Sequence, residues 1–255
     1  DVRVLDLTHY ISGPYCTKLL ADYGADVLKI ERPNSGDGSR RMGPFPKDEP
    51  DPEKSGLFLH LNTNKKSVTL DLKSAEAKAI VFRLVETVDI VVESFRPGTM
   101  ESLGLGYEAL KSAKPDIVLT SITNFGQTGP YRDYMLTDAM AYGMGVEMYS
   151  TGIADREPVK LAENVVLYQA GAVASVATMG ALFASRMQAI GQHVDVSIME
   201  TQVGTIDRRM SMLLAYQYNG EITRRTSPTA GFGYPTGVFL CANGYIQING
   251  GGNYF

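Results

Sequence analysis

Three residues that can bind an anion follow three predicted strands. His9 comes just after the first predicted strand and directly before a Gly-Pro helix start. Arg32 follows the second predicted strand, and Arg96 follows the β-branched run that ends at Glu93. Open α/β sheets bind ligands beyond the carboxyl ends of their strands, so these side chains predict an anion pocket. At this point the alternative, that Arg32 and Arg96 form surface salt bridges, stays open.

The elements that would position these residues alternate between two hydrophobic periods. Ser74 is the predicted N-cap of a helix over 74–86, and Gly24 suits the position just past the end of another helix. Strands alternating with helices predict an α/β domain with a largely parallel sheet. The predicted strands are 2–7, 27–30, 67–72, 89–93, 116–122 and 193–198.

The remaining segments are predicted to form loops, two further helices and a β-containing unit. Turn-forming residues predict long loops at 33–55 and 124–132. A long helix is predicted near 164–187, and its uncharged stretch is long enough to cross a bilayer. Its many small and polar residues favour a buried helix of a soluble protein instead, so we predict no membrane insertion. A helix over 200–218 resembles a connector, and the Gly- and aromatic-rich pattern from Gly231 predicts a β-containing unit.

Composition narrows the class of protein. The chain has 255 residues, 44% of them hydrophobic, and a net charge of −4. That balance excludes a disordered polyelectrolyte and provides no general attraction to nucleic acid or to an anionic membrane. Two cysteines cannot form a disulfide framework, so a reducing cytoplasm is the expected compartment. The three histidines have no metal-ligand spacing, and common nucleotide-binding and hydrolase motifs are lacking, so no metal site is predicted.

Five ordered segments of the first 201 residues resemble the CaiB/BaiF, or family III, CoA-transferases. A later segment, GYPTGVFLCANGYIQI, is similar to the start of that family's small domain. Each segment alone is a weak signal, but their common order and spacing make the resemblance specific. The five are LDLTHYISGPYCTKLLADYGADVLKIERPNSGDGSR, LNTNKKSVTLDLKS, VESFRPGTMESLGLGYEAL, SITNFGQTGPYRD and GQHVDVSIMET.

The resemblance implies an architecture and a substrate. It implies a Rossmann-like large domain over 1–200, a connector helix and linker over 201–230, and the start of a small domain over 231–255. The rest of that small domain and the return to the large domain are expected outside this sequence. Two subunits of the family interlock as rings, so an interlocked dimer is expected. Coenzyme A or an acyl-CoA is the expected substrate, with no tightly bound cofactor.

The same resemblance assigns roles to individual residues. His9, Arg32 and Lys73 match positions that line the family's CoA site. Phe95 matches the aromatic residue that borders the adenine, and Arg96 matches the arginine that is usual beside it. Independently of the family, several phosphate charges on CoA suit arginine and lysine at strand and helix ends.

The chain departs from the family at the catalytic nucleophile, which is an aspartate near the start of the long helix. Matching forward from Pro158-Val159 places Leu167 at that position, and counting back from Gly191-Gln192 gives the same residue. Leucine has no carboxylate that could attack a thioester. The histidine of the family's racemase branch corresponds to Thr137, so that chemistry lacks both of its acid–base groups.

Three functions remain open from the sequence. The chain can be the non-catalytic subunit of a heteromeric CoA-transferase, whose paralogous partner supplies the aspartate, as in heteromeric benzylsuccinate CoA-transferases. It can be a homomeric enzyme that uses Glu163, one helical turn before Leu167, although a carboxylate that meets the helix dipole is the simpler interpretation. It can also be a CoA-binding scaffold without chemistry. The acyl donor and the acceptor carboxylic acid are not specified by the sequence.

Overall fold

The computed structural model describes residues 1–203, 216–222, 225 and 236–249. The chain divides into two compact units. The first comprises Asp1–Asp138 and Glu163–Thr201, and the second comprises Ala139–Ala162 and the residues from Gln202 onward. The predicted domain boundaries at 200 and 230 stay predictions. Most of the predicted connector helix over 200–218, and the glycines at 250–252, lie outside the described residues.

The first unit is built on a six-stranded parallel sheet. Its strand order is β3-β2-β1-β4-β5-β6, the order of a dinucleotide-binding fold. This finding confirms the predicted α/β class and parallel sheet. The strands are β1 Arg3–Asp6, β2 Asp26–Glu31, β3 Lys65–Thr69, β4 Ile90–Glu93, β5 Val118–Thr123 and β6 Gln192–Ser197.

Helices connect the strands and cover both faces of the sheet. Helix α1 packs against α8 on one face, and α3 and α5 close an apolar core on the other. The helices are α1 Ser12–Asp22, α2 Gly56–Leu61, α3 Ala75–Val85, α4 Thr99–Ser102, α5 Tyr107–Ala113, α6 Asp138–Met144, α7 Glu147–Ser150, α8 Val165–Gln188 and α9 Ile198–Val203.

Local signals in the sequence explain where several of these helices begin and end. The side chain of Ser74 accepts a hydrogen bond from the Ala77 N–H and caps α3, as predicted. Gly24 adopts φ +99° just past α1. Its N–H bonds to Ala21 O, and the Ala25 N–H bonds to Leu20 O. These paired bonds are a Schellman motif, which turns the chain into β2.

The predicted long loop over 33–55 is more structured than its composition indicates. It contains 3₁₀ helices at Gly38–Arg41 and Pro46–Asp48, and Asp37 and Ser39 are buried. Arg40 makes a two-point ion pair with Glu31, at 2.7 and 2.9 Å, and lies over the Phe58 ring. These contacts join the loop to β2 and to α2, so the prediction of a surface loop is wrong for its central part.

Helix α8 explains the long uncharged stretch. Among the described helices it alone has the length and apolar composition of a membrane span, and 44% of its most apolar window is buried. Cys16 on α1 is fully buried in the same unit. Packing against α1, β5 and β6 accounts for the small residues of α8.

The second unit contains the strand pair predicted near its end. Strands β7 Thr236–Cys241 and β8 Gly244–Asn249 pair antiparallel, with Cys241 opposite Gly244 across a two-residue turn. The thiol of Cys241 is exposed. The aromatic and β-branched pattern of these strands therefore forms a hairpin.

Candidate functional site

The candidate site lies beyond the carboxyl ends of β1, β2 and β4. Strands β2 and β4 flank β1 on opposite sides, so the chain changes direction across the sheet at β1. Loops that leave adjacent strands on opposite faces open a crevice at such a switch point. His9 and Phe95 come from the two loops beside the crevice, and their ring centroids are 6.1 Å apart. The backbone N–H of His9 donates to Ser94 Oγ at 3.0 Å and joins the two loops.

Two cavities meet at this crevice. The inner cavity, of about 470 Å³, is lined by His9, Phe95, Arg96 and Leu167 among others. The outer cavity, of about 550 Å³, is lined by His9, Arg32, Lys73 and Phe95 among others. His9 and Phe95 therefore line both cavities. The structure brings all five predicted site residues to one crevice.

Of the cationic residues that line the crevice, Arg132 pairs with Asp133 at 2.9 Å. The three predicted cations differ from it. Within the described ranges, neither Arg32 nor Lys73 nor Arg96 forms an ion pair with a carboxylate. The guanidinium of Arg96 lies 3.7 Å from the Met135 sulfur. The alternative interpretation, that Arg32 and Arg96 are merely paired on the surface, is therefore wrong for this part of the chain. Cations without partners at a crevice are suited to a polyanionic ligand.

Buried charges lie directly beneath the crevice. Lys29 of β2 pairs with Asp37 at 2.9 Å, and Lys65 of β3 pairs with Asp6 of β1 at 3.1 Å. Burial favours the neutral form of Asp6, but attraction by both lysines outweighs it and holds the pKa of this carboxyl far below its usual range. Burial lowers the pKa of Lys65 to about 8, although Asp6 opposes the change. Two buried ion pairs thus lie close to the loop that carries His9.

A profile of the protein family described as CoA-transferase family III matches residues 1–255, the whole chain. The chain belongs to CoA-transferase family III. The resemblance seen in the five ordered segments is thereby confirmed.

Relatives agree with this assignment. The succinyl-CoA–D-citramalate CoA-transferase of Chloroflexus aurantiacus is 38% identical over 96% of this chain and 59% of that protein. The human succinyl-CoA:glutarate CoA-transferase is 32% identical over 99% of this chain and 56% of that protein. A CaiB/BaiF family protein from Brucella suis matches with a TM-score of 0.87 at 32% identity, over 98% of this chain and 65% of the other. The chain therefore spans less than two thirds of the length of these family III proteins.

Leu167 lies where the family III resemblance expects the nucleophilic aspartate. It occupies the first turn of α8 and lines the inner cavity together with His9 and Phe95. Its surroundings are apolar on one side, where Ile11, Ile122 and Ile198 also line the cavity. Leu167 thus lines the crevice but provides only an apolar side chain.

Glu163 does not share the position of Leu167. Helix α8 begins at Val165, so Glu163 precedes the helix, with φ +36°. It lines a third cavity, of about 440 Å³, together with His60 and Tyr168. The expectation that Glu163 lies one helical turn before Leu167 is therefore wrong, because Glu163 precedes the first residue of the helix.

Two features of the site were missed by sequence reasoning. Lys29 alternates with apolar residues in a strand and therefore has no distinguishing pattern. Asp37 lies in the GDGSR end of a family segment, which is a weak signal for a buried residue. His193, interpreted as structural, bonds to Ser121 Oγ at 2.9 Å and stacks on Tyr107, both away from the two crevice cavities.

Proposed function

We propose that this chain is a subunit of a family III CoA-transferase that moves CoA between an acyl-CoA and an organic acid. In this proposal a paralogous partner subunit supplies the catalytic aspartate. The observation that carries the proposal is that Leu167 lines the inner cavity, because the resemblance predicts the nucleophile at this residue.

The CoA site is proposed at the crevice. Arg32, Lys73 and Arg96 supply positive charge for the phosphates, and Phe95 supplies an aromatic surface for the adenine. The named relatives act on CoA thioesters of small acids, which supports an acyl-CoA and a carboxylic acid as substrates. The identity of the acids, the interlocked dimer, the cytoplasmic location and the lack of a tightly bound cofactor stay predictions.

Because Leu167 has no carboxylate, the partner subunit in this proposal has to supply the nucleophile. In CoA transfer through a mixed anhydride, a carboxylate oxygen attacks the thioester carbon and CoA leaves as a thiolate. The thiolate then attacks the enzyme's side of the anhydride, which releases the first acid and leaves an enzyme thioester. Both bonds form at a side-chain carboxyl group. A leucine can line the cavity and position a substrate, but it cannot form either bond.

The first experiment replaces Leu167. We expect the unmodified chain alone to exchange no CoA between succinyl-CoA or glutaryl-CoA and labelled acids, measured by chromatography of the CoA esters. Leu167→Asp should introduce exchange, whereas Leu167→Asn, with the same side-chain size and no nucleophilic carboxylate, should not. Robust exchange by the unmodified chain would refute the proposal.

A second experiment tests the partner. The tagged chain, isolated from its native cells, should retain a family III paralogue with an aspartate at the corresponding position, and the reconstituted pair should exchange CoA. Loss of activity on changing that aspartate to asparagine would support the division of labour. If the unmodified chain were active alone and Glu163→Gln abolished the activity, the homomeric alternative would be correct. CoA binding without exchange by any pair would indicate a scaffold.

A further inference from the structure

A buried ion pair lies beneath His9. Lys29 is 1% exposed and Asp37 is fully buried, with 2.9 Å between Lys29 Nζ and Asp37 Oδ2. Burying two charges is costly, and apolar replacements of such a pair are often neutral or stabilising. The contacts that this pair makes with its neighbours therefore have to explain why both charges are buried.

The pair holds three successive residues of the loop after β1. Lys29 Nζ donates to the carbonyl oxygen of Thr8 at 2.8 Å, and the Tyr10 N–H donates to Asp37 Oδ1 at 3.0 Å. Between them, Nδ1 of His9 lies 3.9 Å from Asp37 Oδ2. Tyr10 has φ +68°, a left-handed conformation that a residue with a side chain adopts only when its surroundings impose it. The two charged residues thus fix the backbone on both sides of His9.

Asp37 is itself held rigidly. Its N–H donates to Glu31 Oε2 at 2.8 Å, and its Oδ1 also accepts the Ser39 N–H at 2.8 Å. Burial favours the neutral form of Asp37, but attraction by Lys29 and the hydrogen bonds from the Ser39 and Tyr10 N–H groups outweigh it, so the pKa of Asp37 is lowered and the group stays ionised. A fixed carboxylate therefore faces one ring nitrogen of His9 and leaves the opposite nitrogen, Nε2, for a ligand.

Charges from several elements act on His9. Burial lowers the pKa of its imidazole, and Lys29 and Arg32 lower it further by repulsion. Asp37 and Asp6 oppose this and favour the protonated ring. Asp37 thereby makes it easier for the ring to be protonated when an anion arrives, and an imidazolium can donate to the anion from Nε2.

We propose that Lys29 and Asp37 are positioning residues that together orient His9, and that the Asp37 carboxylate favours a proton on its ring, so that Nε2 donates to bound CoA. The inference rests on the proposed function, because it concerns the same CoA site. In this proposal CoA binding is coupled to proton uptake, because His9 gains a proton when CoA binds. CoA affinity should therefore fall as the pH rises above the lowered pKa of His9, and more steeply for the unmodified chain than for His9→Gln.

Histidine NMR tests the coupling directly. The chain has three histidines, so ¹³C-labelled imidazoles give three resolvable titrations. Asp37→Asn should lower the pKa of His9 by about one unit, or about tenfold in proton affinity, and leave His60 and His193 unchanged. Asp26→Asn is the matched control, because Asp26 pairs with exposed Lys66. It should move none of the three. An unchanged His9 pKa in Asp37→Asn would overturn the inference.

Calorimetry of CoA binding tests the role in the site. Asp37→Asn and His9→Gln should each weaken CoA binding by about tenfold. The double variant should bind no more weakly than His9→Gln, because Asp37 acts through His9. Multiplied losses would indicate a purely structural role and contradict the inference. If Asp37→Asn does not fold, Lys29→Met with Asp37→Leu removes both charges together, and the same comparison with His9→Gln applies.

Different results would refute the proposed function and the further inference. If the unmodified chain has no affinity for CoA, the proposed function is wrong, while the NMR titration still decides whether Asp37 controls His9. If CoA binds normally and Asp37→Asn changes neither His9 nor the affinity, only the further inference is wrong.

Discussion

The carboxyl group of Glu93 is buried at the end of β4, beside the crevice. It accepts the Phe95 N–H at 2.7 Å and a hydrogen bond from Ser121, and within the described ranges it has no ion-pair partner. Burial raises the pKa of Glu93 to about 7, with repulsion from Glu101 and Asp195 in the same direction. A raised pKa means that the folded protein holds this proton more tightly than the unfolded chain does.

The stability of the protein should therefore depend on pH through Glu93. The contribution of the protonated carboxyl is fully present below about pH 4.5, the ordinary pKa, and is lost as the pH rises through about 7. Glu93→Gln keeps an acceptor for the Phe95 N–H without the charge. We expect this variant to unfold at higher urea than the unmodified chain at pH 8, by about 1–3 kcal/mol, and to match it at pH 5.

Exposed Glu49 provides the control for this comparison. Glu49→Gln should change the urea midpoint by a similar small amount at both pH values. A Glu93→Gln effect that is the same at pH 5 and pH 8 would show that the proton on Glu93 is not coupled to folding.

At the scale of elements, the contact between α1 and α8 depends on a missing side chain. A Cβ atom on Gly171 would lie 2.5 Å from Ser12 O and 3.1 Å from Tyr15 Cβ. Gly180, on the same helix, has nothing within 4 Å of the corresponding position. The two glycines share a helix but differ in what they touch.

Alanine substitutions should separate close packing from helix propensity. Gly171→Ala should destabilise the protein by about 1–3 kcal/mol, because the helices must move apart. Gly180→Ala should leave stability unchanged or raise it by up to about 1 kcal/mol. Urea unfolding of the two variants measures the difference, and equal effects would contradict the close approach. Gly171→Ala should also weaken CoA binding if the displaced helix moves Leu167.

The helices could be predicted where a capping residue coincides with the end of a hydrophobic period. Ser74 caps α3 and Gly24 ends α1 as predicted, because both signals act within one turn of the chain. Strand ends were less accurate, since β3 begins at Lys65 rather than at Ser67. Helix α2 was missed because it has only six residues, too few for a clear helical period.

The site was predictable only in part. The positions of His9, Arg32 and Arg96 could be predicted because the carboxyl ends of parallel strands lie along one edge of the sheet. The burial of Asp37 could not be predicted, because it depends on Lys29 and Tyr10, which reach it only through the tertiary fold. The start of α8 was predicted within one residue, at 164 rather than at Val165, and Glu163 precedes the helix with either start.

At the scale of the whole molecule, two thiols have opposite environments. Burial raises the pKa of Cys16 to about 12, whereas Cys241 on the hairpin is exposed. Thiolates are the reactive form, so a disulfide reagent should modify Cys241 at once and leave Cys16 intact in the native protein. A chromogenic thiol assay should therefore count one rapid equivalent natively and two in denaturant. Two rapid native equivalents would contradict the burial of Cys16.

The modification rate of the buried thiol also reports how often the Rossmann-like unit opens. Cys16 can react only during moments when α1 separates from its neighbours, so its slow modification rate measures how often they occur. If CoA binds to the native unit alone, saturating CoA should slow this second reaction without changing the first. A single buried side chain would then report occupancy of the crevice.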